Sequence, residues 1–342
     1  EGPGSPSNCR KFKEMISTKR KTAVSVLLAF TLVFSACKEE RKNQVIRLGH
    51  GLDVTHPVHK AMKFMADRVE EKSKGKLKVV IYPSQQLGTE RELVELLQIG
   101  SLGMTKVSTG VVENFAPELK VFGLPFLFKD REHRFKVLES KIGENLLEAS
   151  VRNRLKGLTF YDAGSRSFYS TQALNSPADL KGQKIRVMES QTAINMVKYL
   201  GGSPTPVSWG ELYTALQQGI VDGAENNLPS FYLSYHYEVC KHYMVDEHTA
   251  LPDELLISTI VWDKLSKQEQ KWLKEAAMES SEYEKKIWRE AELHALEEIK
   301  KAGVKVTYPE KEQFREMVQP MYDEFKKDPQ MKKTIEAIQA VK

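Results

Sequence analysis

Residues 77–100 read LKVVIYPSQQLGTERELVELLQIG, and this stretch predicts a β-strand followed by an α-helix. The short apolar run over 77–82 is typical of a strand. Thr89 with Glu92 three residues later is a capping-box pattern at the start of a helix, and Gly100 is typical of a helix end. The stretch therefore predicts one strand–helix unit of a layered fold.

The same alternation extends in both directions from this unit. Residues 45–48 predict a strand, and apolar side chains at helical spacing from Val58 to Val69 predict a helix with one buried stripe. Alternating strands and helices predict an α/β fold in which helices cover both faces of the sheets. Further strands are predicted at Leu158–Tyr161, Gln183–Met188 and Ile220–Gly223, and further helices between Ser190 and Gly201 and between Ser208 and Gly219.

A much longer helix is predicted near the C-terminus. Ser266 and Glu269 form another capping-box pattern, and the helical periodicity continues to about Ala302. Such a helix is roughly 50 Å long, which exceeds the width of one small domain. It either protrudes as a coiled coil or spans two lobes, and we favour the spanning helix because no sustained heptad accompanies it.

Composition excludes several classes of protein. The 342 residues are 41% hydrophobic and 28% charged, which suits one large folded body or two ordinary ones. Residues 1–36 hold six basic and two acidic residues, so the remainder has 45 against 44 and is almost neutral. A near-neutral body lacks the basic surface that nucleic acid requires. Three cysteines, Cys9, Cys37 and Cys240, are too few and too far apart for a disulfide framework or a zinc site.

The N-terminal segment predicts export. Three basic residues at 19–21 precede the apolar run 23–34, which is too short to cross a bilayer as a permanent helix. Ser35 and Ala36 before Cys37 resemble the lipobox of bacterial lipoproteins, although Phe34 stands where leucine is commonest. The resemblance implies a periplasmic protein that is anchored to the membrane through a lipidated Cys37. We therefore expect residues 1–36 to be upstream residues and a signal peptide, with a natural start at Met15, and residues 37–44 to be a lipidated tether.

Arg186 is the first candidate ligand-binding residue. In open α/β sheets ligands bind beyond the carboxyl ends of the strands, and Arg186 lies near the end of a predicted strand. A guanidinium in a buried strand needs an anion. That anion is either a structural carboxylate or the carboxylate of a ligand, which arginine binds through two parallel hydrogen bonds.

Four more candidates lie at element ends. Arg166 follows the predicted strand 158–161, and two arginines in one cleft would favour an acidic ligand. Asn226 follows the predicted strand 220–223 and is either a turn residue or a hydrogen-bond donor. Glu90 either stabilises a helix N-terminus or accepts hydrogen bonds from ligand hydroxyls. Trp209 is either a core anchor or a flat wall for a sugar ring.

The sequence contains no motif that would support catalysis or metal binding. His50, His56 and His59 have no carboxylate that completes a zinc spacing. The chain also lacks a nucleophile elbow, a Walker phosphate loop and a dinucleotide-binding glycine pattern. We therefore predict neither an enzyme nor a metal or cofactor site.

Six motifs nevertheless resemble those of the solute-binding proteins of TRAP (tripartite ATP-independent periplasmic) transporters, the DctP-like family. The resemblance covers nearly the whole chain from about Val45. In order, the motifs are Leu-Gly-His (48–50), Tyr-Pro-Ser-Gln-Gln-Leu-Gly (82–88), Leu-Pro-Phe (124–126), Leu-Lys-Gly-Gln-Lys-Ile-Arg-Val (180–187), Ser-Pro-Thr-Pro (203–206) and Ala-Leu-Gln-Gln-Gly-Ile-Val-Asp-Gly-Ala-Glu-Asn (215–226).

This resemblance implies roles for the candidates. Arg186 would form the main salt bridge to a ligand carboxylate, with Arg166, Asn226 and Trp209 beside it on the second lobe. From the first lobe, His56, Glu90 and Ser108 would face them. Ala224 stands where many members have glutamine and Asn227 where proline is usual, which leaves the local loop shape open.

The resemblance also implies an α/β, two-lobed, periplasmic-binding-protein-like fold that closes by a hinge around its ligand. A cleft would separate the lobes and the long helix would span them. We expect the first lobe to comprise residues 45–162 plus about 251–285. The second would comprise 163–250 plus about 286–342.

The expected ligand is a sugar acid such as a hexuronate, because Glu90 and His56 supply polarity that a plain aliphatic acid leaves unsatisfied. The second arginine keeps C4-dicarboxylates and keto acids as alternatives. The expected partners are the small and large membrane subunits of the transporter. A sensory domain that reports ligand to a kinase is the competing class, and an enzyme is the third.

Overall fold

The computed structural model describes residues 44–342, so the predicted signal peptide and Cys37 lie outside the described residues. Two mixed β-sheets form the framework, each covered by helices, and this confirms the predicted two-lobed α/β fold. None of the helices in the described range is long and apolar enough to cross a membrane.

The first sheet has five strands in the order β2-β1-β3-β10-β4. β1 pairs in parallel with β2 and β3, whereas β10 is antiparallel to β3 and β4. The first sheet therefore includes β10, a strand that lies far along the chain from the other four. Its strands are β1 (Gln44–Gly49), β2 (Leu77–Tyr82), β3 (Met104–Ser108), β4 (Leu155–Tyr161) and β10 (Asp253–Ser258).

The second sheet has six strands in the order β11-β9-β5-β8-β6-β7. β6 lies parallel to β7 and β8, and β5 is antiparallel to β8 and β9. The carboxyl ends of β6 and β8 therefore point to one edge. Its strands are β5 (Arg166–Ser170), β6 (Lys184–Val187), β7 (Ser203–Pro206), β8 (Gly223–Asn226), β9 (His242–Thr249) and β11 (Lys305–Thr307).

Thirteen α-helices lie within residues 44–342, and the last two follow the final strand. Four of them, α1 to α3 and α8, begin at or next to cleft residues discussed below. The helices are α1 (Pro57–Ser73), α2 (Glu90–Gln98), α3 (Thr109–Val112), α4 (Arg131–Leu138), α5 (Lys141–Glu148), α6 (Gln191–Tyr199), α7 (Leu212–Gln217), α8 (Leu228–Leu233), α9 (His236–Val239), α10 (Thr259–Trp262), α11 (Lys267–Lys301), α12 (Lys311–Phe325) and α13 (Pro329–Ala340).

The chain passes between the sheets three times. Residues 162–165 join β4 to β5, residues 250–252 join β9 to β10, and α11 leads from the first sheet to β11 in the second. α11 is the long helix predicted from residue 266, and the capping box of Ser266 and Glu269 is formed. It packs against α1 and β4 on one side and α8 on the other, so it spans the two lobes as predicted.

The C-terminal helices contact both lobes. α12 packs against α6, and α13 packs against α5 and the 3₁₀ turn Pro117–Gly123. The lobe boundaries given above remain a prediction, since the last helices bridge the two bodies.

Two local predictions were wrong and one strand was missed. The strand predicted at 220–223 begins only at Gly223, because residues 219–222 form the turn that leaves α7. Arg166 follows β4 as predicted, but it also begins β5, which the sequence analysis did not predict. The capping box predicted at Ser208 is incomplete: the hydroxyl donates to Glu211 Oε2 at 2.6 Å, but a 3₁₀ turn precedes α7.

Cys240 is a free, fully buried thiol. Burial raises the pKa of its thiol to about 12, so it stays protonated and unreactive at neutral pH.

Glu254 is an acidic side chain sealed inside the first lobe. It lies on β10 with no exposed surface, and neither carboxyl oxygen has a partner among the described residues. Burial raises its pKa from 4.5 to about 8. The folded protein therefore holds a neutral carboxylic acid here at pH 7.

This buried acid predicts a pH dependence of stability. Between pH 4.5 and 8 the unfolded chain has released the proton that the folded chain retains. The free energy of unfolding should therefore fall as pH rises through that window, by about 1.4 kcal/mol per pH unit. Glu254→Gln removes the titration, so denaturant unfolding at pH 5, 6.5 and 8 should give a flatter profile. An exposed control, Glu336→Gln, should keep the wild-type slope, and an unchanged slope for Glu254→Gln would contradict the assignment.

Candidate functional site

A cavity of about 550 Å³, measured to its open mouth, lies between the two lobes. All seven residues predicted from the sequence line it, and their role in ligand binding stays a prediction. They are His56, Glu90, Ser108, Arg166, Arg186, Trp209 and Asn226.

Arg186 is buried on β6 without a carboxylate partner among the described residues. Its Nε donates to the carbonyl of Val207 at 2.9 Å, and its guanidinium carbon lies 5.8 Å from the centre of the Trp209 ring. The two Nη groups make no hydrogen bond within the described chain. Burial lowers the pKa of Arg186, although arginine remains charged at any physiological pH. The side chain is therefore a buried cation with free donors beside an open cavity.

Arg166 is in a different electrostatic state, because Glu225 neutralises it. Nη2 lies 2.8 Å from Glu225 Oε1, and Nε contacts Oε2 of the same carboxylate. The pKa of Glu225 falls to about 2 despite burial, because Arg166 and the imidazole of His248 outweigh the desolvation. His248 in turn lies 2.7 Å from Asp246, and these carboxylates raise its pKa to about 9 against the effect of burial. The network of four charges is neutral overall.

Asn226 presents an amide N–H₂ group to the cavity. Its Oδ1 accepts from Arg166 Nη1 and from the backbone N–H of Asn227, both at 2.9 Å. Since the oxygen is already occupied, the amide nitrogen is left as the donor. Asn227, which stands at the usual proline position, caps α8 by accepting from the N–H of Ser230 at 2.8 Å.

On the opposite wall, Lys106 sits between two acids. Its Nζ lies 3.0 Å from Glu90 Oε1 and 3.0 Å from Asp253 Oδ2. Burial alone would lower the pKa of Lys106, but Asp253 and Glu90 outweigh it and the net shift is upward. This wall therefore carries a charged triad whose remaining carboxylate oxygens can accept hydrogen bonds.

His56 and Ser230 join the two walls. His56 caps α1 by accepting at Nδ1 from Val58 N–H, and burial keeps its pKa well below the usual value. The neutral ring then carries its proton on Nε2, which donates to Ser230 Oγ at 3.2 Å. Trp288 on α11 packs on His56 with ring centroids 5.7 Å apart. The cleft is thus in a closed arrangement.

The other two histidines singled out in the sequence, His50 and His59, contact each other. His50 Nε2 and His59 Nδ1 are 3.0 Å apart, and burial lowers the pKa of His50 to about 3. Across residues 44–342, groups of three or more metal-binding side chains are absent.

Sequence reasoning missed several lining residues. Lys106 and Asp253 are charged residues inside strands, and their sequence neighbours give no sign that the two strands pair. Trp288 lies inside the predicted long helix, and the helix pattern gives no sign that it reaches the cleft. Ser230 lies four residues after the recognised motif, in the first turn of α8, so a search of the segment following Asn226 would have found it.

Known proteins resemble this chain along most of its length. The model of the DctP family, bacterial extracellular solute-binding protein family 7, matches residues 48–328. A TRAP periplasmic solute-binding protein from Xanthobacter autotrophicus Py2, solved with bound β-D-galacturonate, is 38% identical with a TM-score of 0.85, and the match covers 87% of this chain and 100% of that chain. One from Chromohalobacter salexigens DSM 3043, solved with D-glucuronate, is 31% identical with a TM-score of 0.84, covering 87% and 100%. Protein YiiZ of Salmonella typhimurium LT2 is 41% identical over 301 residues, which is 87% of this chain and 92% of YiiZ.

The pairing of Arg166 predicts a cost for removing its partner. Glu225→Gln leaves a buried guanidinium without its counter-charge, so the free energy of unfolding should fall by about 3–5 kcal/mol. Glu118→Gln, whose partner Arg152 is exposed, should change it by less than about 1 kcal/mol. Denaturant titration at pH 7 measures both. A small effect at Glu225 would show that Arg166 does not depend on that carboxylate.

Proposed function

This chain belongs to family 7 of the bacterial extracellular solute-binding proteins, the solute-binding proteins of TRAP transporters, and we propose that it captures a hexuronate in the cleft between its lobes. Members of this family are extracytoplasmic transport components that bind small organic acids and work with membrane subunits. The family consists of binding components and not of enzymes.

The free guanidinium of Arg186 carries the proposal. A buried charge is costly unless it is paired, and the described residues offer this arginine only a carbonyl and an aromatic ring. A ligand carboxylate can take both Nη donors in a bidentate pair. The neighbouring Arg166 is already neutralised, so this wall of the cleft offers one uncompensated cation, which suits a ligand with a single carboxylate there.

The remaining polar groups of the cleft can pair with the hydroxyl groups of a sugar ligand. The oxygens of Glu90 and Asp253 can accept from sugar hydroxyls, and the Asn226 amide can donate to them. Trp209 offers a flat apolar face beside Arg186. A hexuronate carries one carboxylate and several hydroxyls on a flat ring, which matches this distribution. The galacturonate and glucuronate bound by two relatives have the same chemistry.

Closure of the cleft follows from the contacts that cross it. His56 meets Ser230, and Gln85 packs so tightly on Gly210 that a Cβ there would lie 2.3 Å from its Oε1. A ligand touching Arg186 on one wall and Glu90 on the other gains both sets of contacts only when the cleft is shut. Its binding therefore shifts the population toward the closed state.

A C4-dicarboxylate or a keto acid is the alternative ligand, and Arg166 is the residue that would favour it. A sensory role would require the same cleft and differ only in its partner.

We further propose that Cys37 is lipidated and tethers the domain near the membrane subunits. Mass spectrometry of the membrane fraction, compared with a Cys37→Ser variant, tests this anchor.

Arg186→Ala should weaken binding of D-galacturonate by at least about a hundredfold, because two charge-assisted hydrogen bonds are lost. Arg186→Lys should recover only part of the affinity, since an ammonium cannot form the bidentate pair. Calorimetric titration measures the dissociation constants, with the exposed Arg152→Ala as a matched control. Unchanged affinity in Arg186→Ala would reject the assignment.

Glu90→Gln separates the two ligand classes. It removes an acceptor for hydroxyls, so galacturonate affinity should fall by about tenfold. Succinate affinity should stay level or rise, because a negative charge near the site is gone. Glu95→Gln on the exposed face of the same helix is the control. Equal losses for both ligands would count against the hexuronate.

A thermal-shift panel of uronates, dicarboxylates and keto acids tests the ligand class directly. A ligand present at 100 times its dissociation constant adds about 2.7 kcal/mol of stability. The largest shift should come from a hexuronate, and a larger one from succinate or a keto acid would favour the alternative.

A further inference from the structure

A second cavity lies beside the connections between the sheets and shares none of its lining residues with the cleft. It measures about 840 Å³ to its mouth, against about 550 Å³ for the cleft. Its walls come from residues 126–131, from residues 247–250, from α11 and from α12. The Leu-Pro-Phe motif at 124–126, to which the cleft assigns no role, reaches this cavity through Phe126.

Positive charge dominates the lining. Three carboxylates line the cavity, those of Asp130, Glu247 and Glu292, and Asp162 behind it supplies a fourth. Two positive charges are therefore left uncompensated. The six basic residues are Lys129, Arg131, Arg134, Arg289, Lys311 and Arg315.

The basic side chains differ in how they are held. Lys311 contacts Glu247, and Arg289 lies 2.8 Å from Glu292. Arg131 and Arg134 share the single carboxylate of Asp162, at 3.0 and 2.6 Å. One carboxylate between two guanidiniums leaves part of their hydrogen-bonding capacity open.

Lys129 and Arg315 lack a carboxylate partner among the described residues. Lys129 donates to the carbonyl of Val341 at 2.9 Å. The guanidinium carbon of Arg315 lies 4.5 Å from the centre of the Phe126 ring, a cation–π distance. Both side chains are exposed, and neither forms an ion pair within the described residues.

Phe126 is held in an uncommon backbone conformation. Its φ is 57°, in the left-handed region, and its N–H donates to the carbonyl of His248 at 2.7 Å. Such a conformation is unfavourable for a non-glycine residue, so it persists only where surrounding contacts impose it. Here it accompanies the contact of the Phe126 ring with Arg315, whose guanidinium donors have no hydrogen bond within the described residues.

We propose that this cavity is a second ligand site, which binds a small dianion such as inorganic phosphate or a short dicarboxylate. Two uncompensated positive charges in a concave site match a dianion, and guanidinium groups hold phosphate and carboxylate oxygens alike. The lining includes Ser165 and Ala250 from the two connecting segments and Arg289 from α11. All three connections between the sheets therefore border the cavity in which the anion would bind.

This placement couples the anion to the cleft. Bending at the connections changes the spacing of the cations, so a bound dianion stabilises the arrangement in which they converge. That arrangement is the one with the closed cleft. By linkage, a cleft ligand and the hinge anion should each raise the affinity of the other.

Calorimetric titration with inorganic phosphate in a chloride buffer tests the site. The wild-type protein should bind one phosphate, and Arg315→Ala should weaken that binding by about tenfold or more. Lys332→Ala, an exposed lysine on α13, should bind like the wild type. Arg186→Ala should retain phosphate binding, because the two cavities are separate. Non-saturable binding, equal binding by Arg315→Ala, or loss in Arg186→Ala would each overturn the proposal.

Two further titrations identify the class of ligand and test the coupling between this cavity and the cleft. Succinate titrated into Arg186→Ala, with and without phosphate, shows whether the site takes organic dicarboxylates or only inorganic dianions. The galacturonate dissociation constant should fall at least about twofold in saturating phosphate for the wild type and stay constant for Arg315→Ala. This last arm rests on the proposed function, whereas the phosphate titration does not. Equal galacturonate affinity with and without phosphate would remove the coupling.

Discussion

The unpaired charge of Arg186 is the constraint on which the cleft depends. Two buried arginines, on β5 and β6 of the second sheet, line the cleft, and the described residues neutralise only one of them, by Glu225. Desolvating a guanidinium without a counter-ion costs several kcal/mol, which the remainder of the fold must offset. The cost is recovered when an anion enters, so the site is poised for an acidic solute. The nearby carboxylates of Glu90 and Asp253 are held by Lys106 and do not reach Arg186.

The fold separates the two walls of the cleft but holds them opposite each other. Each wall is built on its own sheet, and the two sheets are joined by two short segments and one continuous helix. Short connections restrict the relative motion of the lobes to a few torsions, which favours hinge bending over sliding. α11 packs on both lobes and places Trp288 against His56, so the same helix that limits the motion also lines the cleft.

The sequence predicted the elements with strong periodicity or caps and the site residues that follow a motif. The 35-residue helix and the capping boxes at Thr89 and Ser266 are local patterns, and they were confirmed. Lys106 and Asp253 escaped notice because their proximity comes from the antiparallel pairing of β3 with β10, which are separated by more than 140 residues. The pairing of Arg166 with Glu225 was missed for a similar reason: it depends on β5 lying beside β8. Local spacing in the sequence predicts which side chains lie at the end of a helix or strand. The order of the strands in each sheet decides which charged side chains come into contact.

Selectivity among acids follows from how these groups are already satisfied. Glu90, Asp253 and Lys106 bind one another, and Asn226 binds Arg166, so a ligand hydroxyl adds to an existing network at a net gain of only about 0.5–1.5 kcal/mol per hydrogen bond. The proposed carboxylate contact with Arg186 is different, since it would neutralise a charge that has no carboxylate partner among the described residues. In the proposed mode of binding, affinity for acids in general would rest on Arg186, whereas discrimination among them would rest on the opposite wall. A ligand without hydroxyls would desolvate that wall and leave its oxygens unpaired, and this penalty separates sugar acids from plain carboxylic acids.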